Sequence, residues 1–161
     1  MSRGQQLLNA VMRAVLATPM IHRAVSNRVL VITVVGRRTG RPYTFPVGYV
    51  ASGDTLLIGT SAGWRRNLRP GWPVAVTVAR RRRAMAAEVV TDLASAVPLY
   101  REILAHNPVH GRYAKIRHAA DGTPDVDDLR AGLARGLAVV VLRPATSREP
   151  TTMTAASSAS A

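Results

Sequence analysis

The 161-residue chain has no cysteine, which excludes disulfides, thiolate metal sites and a cysteine nucleophile. It also lacks long apolar runs. The longest, Val29–Val35 and Leu137–Leu142, fall far below the roughly 18 residues that a membrane-spanning helix needs. Arg13 splits the apolar residues near the N-terminus, so the hydrophobic region of a secretory signal is missing. A cytoplasmic protein is expected, with membrane association open only through its N-terminal segment. Acids are scarce and lysine nearly absent: 9 Asp+Glu oppose 22 Lys+Arg, Lys115 is the single lysine, and the formal net charge is +13.

Arginine takes the place of what is missing, and its distribution is regional. Residues 28–83 hold eleven arginines and one acid, Asp54. Five of the seven aromatic residues lie in the same stretch (Tyr43, Phe45, Tyr49, Trp64 and Trp72), whereas four of the nine acids crowd into residues 121–128. Guanidinia alone are ordinary solvated surface groups. Beside planar side chains they suit a planar anionic ligand. Net charge by itself fits nucleic acid, a membrane or a small anion equally.

At this length one domain is expected, over residues 1–145. Leu7, Leu8, Val11, Met12, Val15 and Leu16 recur at helical spacing and predict a helix over 4–17, ended by Thr18-Pro19. It is expected to dock on the domain, with a basic membrane-surface helix as the alternative. Strands are expected at Val29–Val35, Thr44–Val50, Thr55–Thr60, Val74–Ala79 and Ala84–Thr91, with Arg80–Arg83 as a hairpin tip whose charges discourage edge pairing. Short strands and tight turns predict a mainly β fold with flanking helices, an antiparallel meander or small barrel. Ser95–His106 reads as a helix with Pro98 in its first turn, ended by Asn107-Pro108. Thr123-Pro124-Asp125 reads as an N-cap and first turn opening a helix to about Ala134. Leu137–Leu142 is a last strand, buried on both faces or filling a barrel gap. From Thr146 the Ala/Ser/Thr-rich tail has no core-forming pattern and is expected to be disordered.

Several motifs match in letters only. Gly59-Thr60-Ser61-Ala62-Gly63 fits the G-x-S-x-G nucleophile elbow, and Asp92 and His106 follow in suitable order. The elbow needs a full helix after the serine, and Pro70-Gly71 cuts that segment short. Gly36-Arg37-Arg38-Thr39-Gly40 lacks the P-loop lysine and spacing, yet its backbone N–H groups and guanidinia suit a phosphate. As a plain hairpin turn with exposed arginines it would do nothing more. His106 and His110 are separated by Pro108 and complete no metal set. No nucleic-acid module is recognisable, so no nucleic-acid partner is expected.

Taken in order, Val31–Val35, Gly36-Arg37-Arg38-Thr39-Gly40-Arg41-Pro42, Pro46-Val47, Tyr49, Gly53-Asp54, Trp64-x-x-Asn67-Leu68 and the closing Ala138–Pro144 resemble the deazaflavin-dependent nitroreductases, which use coenzyme F420. The resemblance implies an antiparallel split β-barrel like that of the flavin-binding oxidases. It also implies hydride transfer between reduced F420 and a small organic acceptor, such as a quinone, an enone or a nitroaromatic. The cofactor would be held by Arg37, Arg38, Thr39, Gly40, Arg41 and Tyr43 at its phosphate and acidic tail. Pro46, Val47, Ser61, Ala62, Gly63, Trp64 and Asn67 would lie near its ring.

The family usually has a basic residue where Tyr43 stands, and its tyrosine-rich substrate segment here reads Asn107 to Tyr113. Tyr113 matches, and His110 occupies another tyrosine's place, so Tyr113, His110 or Ser61 is expected to guide the proton that follows the hydride. Trp64 is equally a core tryptophan, and Asn67 equally a capping residue. The same barrel loaded with flavin mononucleotide or haem, or a non-catalytic lipid-surface protein using Gln5–Leu16, are the rival readings. A homodimer is a further expectation.

Overall fold

The computed structural model describes residues 28–145. The predicted helix over 4–17 and the tail from Thr146 lie outside them. Three hairpins follow from sequence order: β1 (Val29–Val35) with β2 (Pro42–Gly48), β3 (Val50–Ser52) with β4 (Thr55–Thr60), and β5 (Pro73–Val78) with β6 (Arg81–Val90). Two long-range pairings join them. β1 pairs β5, and β7 (Ala138–Pro144) enters between β6 and β4. The result is one antiparallel sheet in the order β2-β1-β5-β6-β7-β4-β3. Its two edge strands, β2 and β3, are separated in the chain by Tyr49 alone. The sheet must therefore curl until its edges meet, which is the split-barrel arrangement; of meander and barrel, the barrel is correct.

Alternation decides which residues face inward. Leu30, Ile32 and Val34 of β1, Leu56 and Ile58 of β4, Val74 and Val76 of β5 and Val140 and Leu142 of β7 fill the inside of the curl. The intervening residues Leu57, Val139 and Val141 face outward and form a second core with α1 (Leu93–His106), which contributes Ala96, Tyr100, Ile103 and Leu104. A short helix α2 (Val109–Ala114) and then α3 (Val126–Ala134) complete that layer. β7 serves both cores, and residues 138–142 are buried without a break.

Several boundaries move from their expected places. The strand expected over Thr44–Val50 starts at Pro42 and breaks at Tyr49, whose N–H donates to the Arg28 carbonyl at 2.9 Å. Prolines 42 and 46 share one parity on this edge strand, the position in a sheet where a missing N–H is tolerated. The β5–β6 turn is Ala79-Arg80, both at positive φ (48° and 64°), as a two-residue primed hairpin demands. Arg81–Arg83 are therefore strand residues and not a hairpin tip. Asp92 caps α1, accepting from the Ser95 N–H at 2.8 Å, so Pro98 falls in the second turn. Asp125, not Thr123, caps α3 by accepting from the N–H groups of Asp127 and Asp128 at 3.1 and 3.0 Å. Pro124 instead sits in a bridge with His118. Asn107-Pro108 ends α1 as expected, but Pro108 at once opens α2, because its fixed φ suits a helix start.

No helix among the described residues is long and apolar enough to cross a membrane. Leu142 is fully buried and registers against Leu56 and Ala87. Leu142→Ala is expected to cost about 2–5 kcal/mol of stability, read as a lower urea midpoint at unchanged slope.

Candidate functional site

The turn between β1 and β2 is shaped by two glycines. Gly40 takes φ 64° and donates its N–H to the Gly36 carbonyl at 2.9 Å. A Cβ on Gly36 would lie 2.7 Å from Thr39 Oγ1 and 2.8 Å from the Tyr43 ring, so only glycine lets Tyr43 fold back over the turn. Tyr43 Oη and Thr39 Oγ1 are 3.2 Å apart and hydrogen-bonded. Arg37, Arg38 and Arg41 project from this scaffold and are exposed.

A second segment is fastened to that turn. After β4 the chain passes through Ser61 and Ala62 into a single 3₁₀ turn, Gly63–Asn67. Asn67 Oδ1 accepts from the Arg37 N–H at 3.2 Å, and the Arg37 guanidinium donates to the Leu68 carbonyl at 3.1 Å. Asn67 thus caps the backbone of the neighbouring turn instead of its own helix. Trp64 is half-buried against Phe45 of β2, with ring centroids 5.4 Å apart, and packs on the inner core. Arg65 holds the other flank, donating to the carbonyls of Ala62 at 3.0 Å and Gly136 at 2.6 Å. Ser61, Ala62 and Gly63 remain exposed between these anchors.

The remaining predicted residues divide. Adjacent strand residues face opposite ways: Pro46 registers with Val31 on the outer face, and Val47 with Leu30 towards the inner core. Their side chains cannot line one surface together, although the backbone of this edge strand is available to both. His110 and Tyr113 are one helical turn apart on α2, yet His110 is turned inward and Tyr113 is 73% exposed.

His110 meets residues that the sequence reading missed. Its Nε2 lies 3.4 Å from Tyr100 Oη, and both abut Gly59 of β4. A Cβ on Gly59 would fall 2.5 Å from His110 Nε2 and 2.8 Å from Tyr100 Oη. Burial pushes the Tyr100 phenol up and pulls the His110 imidazole below its ordinary value, so both are neutral near pH 7. Either the phenol donates to Nε2 or an Nε2–H donates to the phenol oxygen, according to the imidazole tautomer. A lone glycine inside a strand was the available signal for this close approach. Ser61 lies two residues beyond Gly59. The structure thus strings the predicted residues around the end of β4, with the arginine turn on one side and α2 on the other.

The elbow motif dissolves in three dimensions. Ser61 precedes only a 3₁₀ turn, Asp92 is a helix cap, and His106 Nδ1 bonds the Glu102 carbonyl at 2.9 Å. No group of three or more His, Cys, Asp or Glu among the described residues could hold a metal ion. Gly59→Ala is expected to cost about 1–3 kcal/mol by overpacking. Chemical denaturation of Gly59→Ala combined with His110→Ala should show a smaller loss than the two single variants summed.

The family model for F420H2-dependent quinone reductases matches residues 9–120, well over half of the chain. No curated protein matches the sequence. Among solved structures, an F420H2-dependent reductase is similar at 11% identity and TM-score 0.50, with 72% of this chain and 94% of that one covered. A protein of unknown function from Agrobacterium tumefaciens strain C58 is similar at 14% identity and TM-score 0.51, covering 73% and 48%. A domain-swapped dimer is similar at 10% identity and TM-score 0.51, covering 88% and 100%. These likenesses establish the split-barrel fold. The family match goes further: the chain belongs to the F420H2-dependent quinone reductase family and is an oxidoreductase that works with coenzyme F420.

Proposed function

We propose that this enzyme passes a hydride from reduced F420 to a quinone, and that the cofactor lies between the Gly36–Arg41 turn and the Ser61–Asn67 segment. The observation that carries the reading is the pairing of Arg37 with Asn67 and Leu68, which fixes a cationic turn beside a stretch of small exposed residues. The residues present fit the group. The Arg38 and Arg41 guanidinia make no hydrogen bond or ion pair among the described residues, so both are free for a phosphate and a carboxylate-bearing tail through bidentate contacts. Arg37 has a different task, because its guanidinium is already engaged with Leu68; it positions the two segments.

When bound, the reduced deazaflavin supplies the hydride. The protein does the rest. Ser61, Ala62 and Gly63 are exposed and small, which lets a flat ring approach, while the Ala62 N–H is already taken by Thr60 Oγ1 at 3.0 Å. Trp64, seated on Phe45, walls the inner side and excludes water. A quinone that accepts a hydride also needs a proton. Ser61 and Tyr113 carry exposed hydroxyls, and in this reading they guide it. His110, neutral and bonded to Tyr100, stands behind them and positions α2. The family description supports a quinone as acceptor over an enone or nitroaromatic. A dimer is the state of one similar structure and is proposed here as a secondary feature.

Anaerobic oxidation of reduced F420 with a water-soluble quinone, a nitroaromatic and an enone tests the acceptor. The quinone is expected to give the highest kcat/KM, and no turnover with any quinone would overturn the reading. Arg38→Ala with Arg41→Ala should raise KM for reduced F420 roughly tenfold or more, since hydrogen bonds to charged groups contribute about 1.5–3 kcal/mol each. Its thermal midpoint should stay unchanged, whereas Arg37→Ala should lower the midpoint.

A further inference from the structure

The outer face of the sheet is covered over only part of its width. On β4 and β7, Leu57, Val139 and Val141 are buried beneath α1. The same face continues across β6, β5, β1 and β2, and no described helix lies over it there. Register places Val29, Val31, Val35, Pro46, Ala75 and Ala84 on this part. An antiparallel sheet with one wet face alternates apolar with polar residues. β1 does not: it reads Val-Leu-Val-Ile-Thr-Val-Val, and Thr33 is its only polar residue. Val29, Val31 and Val35 are 41%, 37% and 51% exposed, and Trp72, which follows the Ser61–Asn67 segment and precedes β5, is 66% exposed. A contiguous exposed apolar surface of this kind marks a docking site.

Charge says what docks. Residues 28–87 contain 11 arginines and one acid, whereas residues 88–145 contain seven bases and seven acids. The excess charge of the described residues therefore belongs to the part of the chain that builds the uncovered face. Ion pairing divides the same way. Every ion pair among the described residues joins partners from Glu88 onward, and none involves Arg28 to Arg83. Arg82 registers with Thr77 on the outer face, with Arg80 in the turn beside it. At the opposite end of the face, where Pro73 begins β5, Arg69 stands over the Trp72 ring at 5.8 Å. A second copy of the chain would bring arginine against arginine. The segment over 4–17 carries Arg13 and no acid, so it offers no charge complementary to these arginines. An anionic lipid surface satisfies both the apolar middle and the cationic ends.

We propose that this face, β1 with β2, β5 and the start of β6, docks on an anionic bilayer. Trp72 and the three valines enter the boundary between headgroups and acyl chains, and Arg69, Arg80 and Arg82 meet lipid phosphates. The proposal does not depend on which acceptor the enzyme reduces.

Flotation of the full chain with vesicles tests it, using phosphatidylglycerol mixed into phosphatidylcholine against phosphatidylcholine alone. The full chain should float with the anionic vesicles, less so as salt rises, and remain unbound with the neutral ones. Val29→Glu with Val31→Glu should lower the bound fraction at least tenfold. Arg80→Ser with Arg82→Ser should lower it and flatten its salt dependence. Thermal unfolding of each pair reports whether the fold is retained, and the arginine pair carries the test if the valine pair does not fold. Binding that ignores both pairs but is lost in Leu8→Glu with Val15→Glu would overturn the proposal in favour of the N-terminal segment. Absence of anionic vesicle binding would overturn it outright. So would a dimer, seen by sedimentation, that Val29→Glu with Val31→Glu dissociates.

Discussion

β7 has two neighbours and two faces, and all four are in use. Its ladders to β6 and β4 join the β2-β1-β5-β6 part of the sheet to the β4-β3 part. Its even residues Val140 and Leu142 close the inside of the curl, while Val139 and Val141 carry α1. This strand comes last among the described elements, so the sheet cannot close until the helical layer has been traversed. The pairing of most distant sequence partners is thereby the one on which both cores depend. Such non-local closure is paid in loop entropy before its contacts form, and an unbroken apolar run buried on both faces is what offsets that cost.

The site inherits its geometry from that closure. β4 is held by β7, and the segment after β4 is fastened at both flanks by arginine side chains acting on backbone carbonyls. Arg65 reaches Gly136 just before β7 begins, and Arg37 reaches Leu68 from the far side of the curl. Two of the arginines in the basic stretch are thus structural, and their neighbours Arg38 and Arg41 are left for a ligand. The +13 charge is therefore not one feature. Part of it builds the site, part is offered to the cofactor's anionic groups, and part rims the uncovered outer face.

Most strands were legible because β-branched runs bounded by Gly, Pro and Asp carry their own pattern. What failed to show was anything decided by a partner far away in sequence. Tyr49 ends β2 because it bonds Arg28, which no local rule indicates. Asp125 caps α3 because Pro124 is occupied in a bridge with His118. The short helix α2 was hidden by Pro108, read as an ending when it is also a beginning. In the site, the arginine turn and the small residues at 61–63 were visible as motifs, but the division of labour between Arg37 and Arg38 was not. Tyr100 was invisible as a site residue, since at helical spacing with Ala96, Ile103 and Leu104 it reads as core, and it is core. Its contact with His110 depends on the missing Cβ of Gly59.

The account turns on one placement, the cofactor between the Gly36–Arg41 turn and the Ser61–Asn67 segment. Amide hydrogen exchange of the full chain with and without oxidised F420 addresses it directly, because both segments lie mostly at the surface and a bound ring and phosphate would cover them. Slowed exchange concentrated at Gly36–Arg41 and Ser61–Asn67 is the predicted result. Protection centred instead on the open cleft of about 560 Å³ lined by Arg112, Lys115, Arg117, His118 and Asp128, with both segments unchanged, would contradict it.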